Sequence, residues 1–442
     1  MTTPPTTPSP FGDLLDAEWT PRHDPQRRSR GWRTAGIVFL LVVLLLGGGA
    51  GGYVWWAASA PLPAPTMTSS APNVTPGPAA SITMPSEGSA LLSVSGGEAF
   101  FGSDAQAMEK ASGGNDERPI ASISKLITAL VVLDAHPLAS ADDRGPTVTF
   151  SKADADLYDK YYVQGATIAT MPAGTTMSLH DALATMLLPS ASNYAEALAR
   201  WAYGSTGAFV SATRSWLAKN GLNDTTIVEP TGLDARNTST PSDLVALGKI
   251  AAANPALAAI AATRSLSLNG PGDITNTNDL LGTLGIDGLK TGNLGEGTFN
   301  LLFTSALDVT GVPPLRVVGV VLGGQSHEST DSDVTTMLQS IRDGFHQVPV
   351  STRGQKIGTI TTPWGASASV VVARDASILT WSDTPIAVTL DTAAPSSYTD
   401  GQVTGHATWT AGTQSATVDI TISGSIEQPT LLWRLTHPTA LG

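Results

Sequence analysis

From Ala35 to Trp56 the chain carries no charged residue, and no other feature limits its architecture as strongly. Ile37 to Leu46 are uniformly apolar, a glycine cluster follows, and Tyr53, Trp55 and Trp56 close the run. The run is long enough to cross the hydrocarbon core of a bilayer as a helix. Arg22, Arg27, Arg28, Arg30 and Arg33 precede it, which places the N-terminus in the cytoplasm, and the aromatic residues behind it suit the outer interface. Ala58-Ser59-Ala60 resembles a signal-cleavage site, so a removed signal is the competing reading. The length of the apolar run and of the tail before it favours an uncleaved anchor. The expected order is a disordered cytoplasmic tail over 1–34, a transmembrane helix over 35–57, and a Pro/Ser/Thr-rich spacer over 58–87. The remainder lies outside the cytoplasm.

Behind the spacer enough chain remains for two further domains and a sizeable core. None of the 442 residues is cysteine, which excludes disulfide scaffolds, thiol catalysis and cysteine zinc sites. The net charge of −13 argues against nucleic acid as a partner. The seven histidines form no His-Glu-x-x-His pattern, so neither a metal nor another cofactor is indicated.

Globular patterning starts near Ser89. Residues 90–94 and Ala99-Phe100-Phe101 read as a hairpin around Gly96-Gly97, with a polar loop over 104–117. Ile123, Leu126, Ile127 and Leu130 have helical spacing. Helices are also expected from Ser178 to Pro189, 194–203 and 209–220, with Ser190-Ala191-Ser192-Asn193 a loop between the first two. Residues 225–228 read as a strand and 229–233 as a turn. Tyr158, Tyr161 and Tyr162 either line a cleft or pack. Residues 299–305 and 317–322 read as adjacent buried strands, and 334–345 as a closing helix. The expected main domain covers 88–348. Residues 350–442 read as an all-β module, with no amphipathic basic helix that would make a second membrane contact.

Chemistry concentrates at Ser122-Ile123-Ser124-Lys125. If the segment is helical from about Ser122, the hydroxyl of Ser122 and the amine of Lys125 share one face. The positive end of a helix disfavours a second positive charge, so the lysine pKa should fall. A neutral amine beside a serine can take its proton and make it a nucleophile. An ordinary helix start is the plain alternative.

Farther on stand Ser190 and Lys290-Thr291-Gly292. The order Ser-x-x-Lys, serine loop, Lys-Thr-Gly is that of penicillin-binding proteins and class A β-lactamases. With Arg118-Pro119-Ile120-Ala121 before Ser122, Met186-Leu187-Leu188-Pro189 before Ser190, and Pro230-Thr231-Gly232-Leu233, residues 88–346 resemble low-molecular-weight penicillin-binding proteins, the serine D-alanyl-D-alanine carboxypeptidases. The resemblance implies an α+β fold, a β-lactamase/transpeptidase-like domain in which helices flank an antiparallel sheet beside a helical cluster. It implies that Ser122 is the acylated nucleophile, Lys125 the general base and Ser190 a proton relay. It also implies that Lys290 and Thr291 hold the substrate carboxylate, that Ser192, Asn193 and Gly292 also belong to the substrate-binding set, and that the backbone N–H groups of Ser122 and Asn293 form the oxyanion hole. Lys290 would help keep Lys125 neutral by repulsion. Peptidoglycan stem peptides would be the substrate and β-lactams covalent inhibitors.

The sequence departs from that pattern twice. The family's second motif is Ser-x-Asn, whereas here Ser192 stands third and the asparagine is Asn193. Either Ser192 substitutes, or Asn193 swings in, or activity is reduced. Residues 317–341 also lack the arginine that some relatives use on the substrate carboxylate. A β-lactamase or endopeptidase on the same fold, with Glu229 as the candidate deacylation residue, and a wall-binding scaffold with a degenerate cleft are the alternatives.

Overall fold

The computed structural model describes residues 26–101, 108–393, 395 and 398–442. The tail before residue 26 and residues 104–107 of the expected polar loop lie outside the described residues. The chain forms two compact units, a larger one of 69–358 and 369–423 and a smaller one with the N-terminal segment to Thr68, 359–368 and 424–442.

Helix α1 (Gln26–Ser59) begins before the charge-free run and carries through the glycine cluster without a break. Residues 31–56 are exposed throughout, and the most apolar 18-residue window within 31–59 has a mean hydropathy of 2.3. An apolar helix exposed over so long a stretch suits lipid rather than water.

The larger unit is built on a five-stranded antiparallel sheet. Its strands are β1 (Ser89–Ser95), β2 (Met108–Ser112), and, after a long helical excursion, β3 (Ile286–Gly292), β4 (Phe299–Leu307) and β5 (Leu315–Gly324), in the order β3-β4-β5-β1-β2. Both ends of the domain thus feed one sheet, so closing it fixes where the excursion starts and stops. The period of two along β4 splits its side chains: Leu301 and Phe303 enter one core, Leu302 the other. The expected hairpin is corrected here. Residues 98–101 make a single helical turn, and β1 pairs instead with β2, Leu92 opposite Lys110. Phe101 packs edge-on against Trp381 and Phe100 against Phe345, which takes both rings out of any strand.

The excursion contains α2 (Ser124–Ala135), α3 (Lys152–Tyr162), α4 (Leu179–Leu187), α5 (Ser192–Tyr203), α6 (Thr206–Lys219), α7 (Pro241–Ala253) and α8 (Pro255–Ala261). A capping box between Ser151 and Asp154 starts α3, a device worth about 1 kcal/mol. The helices share one core, in which Leu126, Leu130, Leu183, Tyr194 and Leu198 meet Leu302 and Val320 of the sheet. Each fully buried large apolar side chain contributes roughly 1.5–3 kcal/mol. The expected strand at 225–228 reduces to one bridge, Thr226 opposite Thr238. Helix α9 (His327–Asp343) covers the other face of the sheet through Val334, Met337, Leu338 and Ile341. The fold class is therefore the expected one, an antiparallel sheet between helices with a helical cluster beside it.

Beyond α9 the chain turns to strands. β6 (Phe345–Ser351) and β8 (Ala376–Trp381) pair with each other, while β7 (Ser367–Val372), β9 (Ala387–Thr392), β10 (Val403–Ala411) and β11 (Gln414–Ser423) pair in the order β7-β11-β10-β9. In the smaller unit the chain ends in a short helix, α10 (Leu431–Thr436), where the sequence led us to expect strands alone. Arg434 donates to the carbonyls of Ala57 (3.1 Å) and Ala60 (2.9 Å), and the Tyr53 hydroxyl donates to the Leu435 carbonyl (2.7 Å). A cation on the last carbonyls of α1 is favourable both as a cap and against the helix dipole.

Candidate active site

Ser122 sits in a single 3-10 turn, Ala121–Ile123, and α2 proper begins at Ser124. Ala121 is in the left-handed region (φ 50°), a conformation that costs a non-glycine residue about 1 kcal/mol or more. The surroundings impose it. The Ile120 N–H donates to the Asn237 carbonyl (3.0 Å), and Asn300 of β4 donates to the Pro119 carbonyl (3.0 Å). Lys125 Nζ is 2.8 Å from Ser122 Oγ and donates to the Thr231 carbonyl at 2.7 Å. The side chain is wholly buried. Burial brings its pKa down to about 7, against the pull of the Glu229 charge, which raises it. The expected lowering is present, but its cause is burial rather than the helix end or Lys290.

Ser190 is the second left-handed residue here (φ 67°) and is buried at the cleft floor. Ser192 opens α5 and is almost wholly buried where it lines the cleft. No side chain caps that helix, and the Ser192 N–H donates instead to the Thr167 carbonyl (2.8 Å). Asn193 is not brought to the cleft. It is fully buried, with Nδ2 donating to the Ala169 carbonyl (2.8 Å) and Oδ1 accepting from the Ala169 N–H (3.1 Å). Both ends of its amide are used, and swinging it out would strand two buried backbone groups at about 1–3 kcal/mol each. Of the three alternatives for this motif, that one is removed, and Ser192 holds the position.

Lys290, Thr291 and Gly292 end β3, the edge strand of the sheet. Lys290 is buried, with Nζ 3.4 Å from both Thr277 Oγ1 and Thr291 Oγ1, which are 2.6 Å from each other. Burial, and then the charge of Lys125, holds the Lys290 pKa well below the usual lysine range. The expected repulsion between the two lysines therefore acts on Lys290. A bound carboxylate would reverse that lowering, since an opposite charge favours the ammonium. Gly292 lies against the Ser122 turn: a Cβ there would stand 2.9 Å from the Ser122 nitrogen and 3.0 Å from the Ile120 oxygen. That approach is what lets the strand end and the Ser122 N–H border one space. Asn293 follows at the lip, its Nδ2 3.1 Å from His327 Nε2.

These groups border one cleft of about 420 Å³. Ser122, Ser190, Ser192, Thr291, Gly292 and Asn293 line it, with Lys125 and Lys290 buried behind. The sequence reasoning missed Thr277, Asp279 and His327, which line it too. The first two belong to no motif and arrive by way of the Thr277 N–H bond to the Leu188 carbonyl (3.0 Å). His327 had a faint signal, as the one basic side chain in the interval 317–341 that lacks Lys and Arg.

Residues 109–326 match the D-alanyl-D-alanine carboxypeptidase family, Peptidase_S11. The chain is similar to D-alanyl-D-alanine carboxypeptidase DacD of Salmonella typhimurium, 30% identical over 270 residues that cover 59% of this chain and 66% of the relative. It is also similar to the D-alanyl-D-alanine endopeptidase of Escherichia coli, 34% identical over 148 residues, 33% of this chain and 44% of that one. The chain thus spans just under two thirds of the first relative and under half of the second. Penicillin binding protein 5 from Haemophilus influenzae, at 19% identity and a TM-score of 0.50, covers 79% of this chain and all of its own, a likeness of fold.

Proposed function

We propose that this chain, which belongs through residues 109–326 to the D-alanyl-D-alanine carboxypeptidase family, is a membrane-anchored serine carboxypeptidase that removes the terminal D-alanine from peptidoglycan stem peptides. The observation that carries the reading is the wholly buried Lys125 amine 2.8 Å from Ser122 Oγ. With a pKa near 7 that amine is largely neutral in mildly alkaline solution and can accept the serine proton.

In this reading Ser122 Oγ attacks the carbonyl between the two D-alanines while its proton passes to Lys125 Nζ. The tetrahedral oxyanion is held by the N–H groups of Ser122 and Asn293, a pair worth a few kcal/mol of transition-state stabilisation. The C–N bond breaks as the leaving amine takes a proton from Lys125 through Ser190. Lys290, Thr291 and Gly292 hold the departing carboxylate, and Ser192 faces the substrate backbone. Water, deprotonated by the same amine, then cleaves the ester and frees Ser122. A β-lactam acylates Ser122 through the same steps, and its ester persists. The exposed apolar α1 supports a membrane anchor. The arginines before it favour a cytoplasmic N-terminus and a cleft outside.

Glu229 does not serve the β-lactamase alternative, because both its carboxylate oxygens accept backbone N–H groups of its own turn. A second reading, endopeptidase, is favoured by the 34% identity to the Escherichia coli endopeptidase. The full chain in detergent, given a peptide ending in D-Ala-D-Ala, should release D-alanine, and Ser122→Ala should not. Folded wild-type chain that binds the peptide and releases nothing would overturn the carboxypeptidase. Cleavage confined to cross-linked peptide dimers would establish the endopeptidase.

A further inference from the structure

Glu229 is tied into the turn that follows it. Its Oε2 accepts the Thr231 N–H at 2.6 Å, and its Oε1 accepts the Gly232 N–H at 2.6 Å and the Asp234 N–H at 3.4 Å. Asn237 closes the turn from the other side. Its Nδ2 donates to the Glu229 carbonyl (2.9 Å), to Glu229 Oε1 (3.2 Å) and to Ser124 Oγ (3.0 Å), while its Oδ1 accepts the Val228 N–H at 2.8 Å. Thr128 Oγ1 donates to the Pro230 carbonyl at 2.8 Å. The turn is thereby fastened to α2 at Ser124 and Thr128, on either side of Lys125 in the chain. Its Thr231 carbonyl is the second acceptor of the Lys125 amine, at 2.7 Å. Gly232, at φ 83°, comes so close that a Cβ would stand 1.9 Å from the Ala121 oxygen.

We infer that Glu229 is a positioning residue for Lys125: its carboxylate shapes the turn that sets the Thr231 carbonyl on the amine, and its charge governs how readily that amine gives up a proton. The inference rests on the carboxypeptidase reading for the amine's role, and on geometry for the rest. Burial drives the lysine toward neutrality, and Glu229 acts in the opposite sense, holding the amine near the middle of its titration. The other charged or titratable groups around the pair are accounted for. Lys290 of β3 is the like charge. Lys160 and Tyr161 of α3 both bond Glu196 of α5, and Asp234 pairs with Arg236. Glu229 has no ion-pair partner among the described residues, and its charge acts on the Tyr161 hydroxyl as well as on the Lys125 amine.

The test is the pH dependence of D-alanine release, and of Ser122 acylation by a fluorescent penicillin, in the full chain in detergent. In Glu229→Gln the acid limb of kcat/KM should move to lower pH by about one unit, as expected when a nearby opposite charge is removed, and kcat should fall. Asn237→Ala should lower kcat with the limb unmoved, because it loosens the turn and leaves the charge. An unmoved limb in Glu229→Gln overturns the inference, since a merely structural role would not move it. Should Glu229→Gln fail to fold, Glu229→Asp keeps the charge on a shorter arm. It must lower kcat and hold the limb, and a wild-type kcat would overturn the inference. Titration of the Lys125 side chain by 13C NMR, one of only eight lysines, decides the same point without turnover. A wild-type chain inactive on peptide and penicillin would sink the carboxypeptidase reading while leaving that titration to judge Glu229.

Discussion

In the proposed mechanism Lys125 would set function against stability within one side chain. Its pKa is about 7 in the fold against an ordinary 10.5. Between those values the unfolded chain binds a proton that the folded chain has released, so stability rises with pH from about 7 to 10.5 and is lost as pH falls through that window. Below 7 both states are protonated and the penalty is constant. At 1.36 kcal/mol per unit the penalty is on the order of 4 kcal/mol near pH 7. Removing the amine also unpairs the Thr231 carbonyl, at about 1–3 kcal/mol. Lys125→Met should therefore stabilise the chain by roughly 2 kcal/mol at pH 7.5 and destabilise it by roughly 1 kcal/mol at pH 10, where little of the penalty is left, while penicillin no longer acylates Ser122. Urea denaturation at the two pH values checks it, and a destabilised variant at pH 7.5 would contradict it. Ser192 allows a second prediction. An asparagine offers a substrate amide both a donor and an acceptor on a longer arm, so Ser192→Asn should raise kcat/KM on acyl-D-Ala-D-Ala peptides about tenfold, one good hydrogen bond. The Ser122–Lys125 pairing was legible because three residues of helical chain fix it locally. The reason for the pKa was not, because burial is a property of the tertiary structure: the amine is enclosed where it meets the Thr231 carbonyl, more than a hundred residues away.

At the scale of elements, catalysis would depend on two chain segments closing on the Ser122 turn without side chains between them. Gly292 brings β3 to within a missing Cβ of the Ser122 nitrogen, and Gly232 brings the 229–234 turn even closer to the Ala121 oxygen. Gly292→Ala should push the strand end off Ser122, at about 1–3 kcal/mol of overpacking, and slow penicillin acylation far more than it lowers the melting temperature. Gly232→Ala adds the cost of its positive φ and should be the more destabilising of the two. A thermal melt run beside an acylation time course reads both. Which elements the sequence disclosed follows from the same geometry. β4 and β5 are central strands buried on both faces and read as apolar runs. β2 is an edge strand carrying Glu109 and Lys110, so it shows no apolar signal. α9 begins at His327, seven residues before the expected start at 334, because its first two turns are polar and held by a cap at Ser326 rather than by a buried face. The bridge at 226–238 replaced a strand because the turn between them is bound by the Glu229 carboxylate, which no hydropathy pattern shows.

For the molecule as a whole, the sequence led us to expect one membrane contact, at the N-terminus, and read the far end as strands. The structure brings the last residues back to the end of α1. Trp433, Leu435 and Leu441 pack with Ala57, Ala60 and Leu62, and Arg434 takes the helix-end carbonyls. Contacts between residues nearly four hundred positions apart leave no trace in local periodicity, and a six-residue helix is too short to show an amphipathic pattern. Tyr53 and Trp56, which suit the bilayer interface, stand at the same end of α1, and Tyr53 itself binds α10. Leu431 and Leu432 of α10 remain exposed. If α1 spans the bilayer, these two leucines lie at interface depth, where each can gain about 1–3 kcal/mol by entering the acyl boundary. Deleting residues 429–442 should leave the full chain in the membrane fraction, since α1 alone is long enough to hold it. The clearer effect belongs to a chain starting at residue 61. Without α1, Trp433, Leu435 and Leu441 lose their cover, and that chain should float with neutral phospholipid vesicles. The same chain ending at residue 428 should stay at the bottom of the gradient. Equal flotation of the two would place the residual membrane affinity elsewhere and show that α10 serves only to cap the helix.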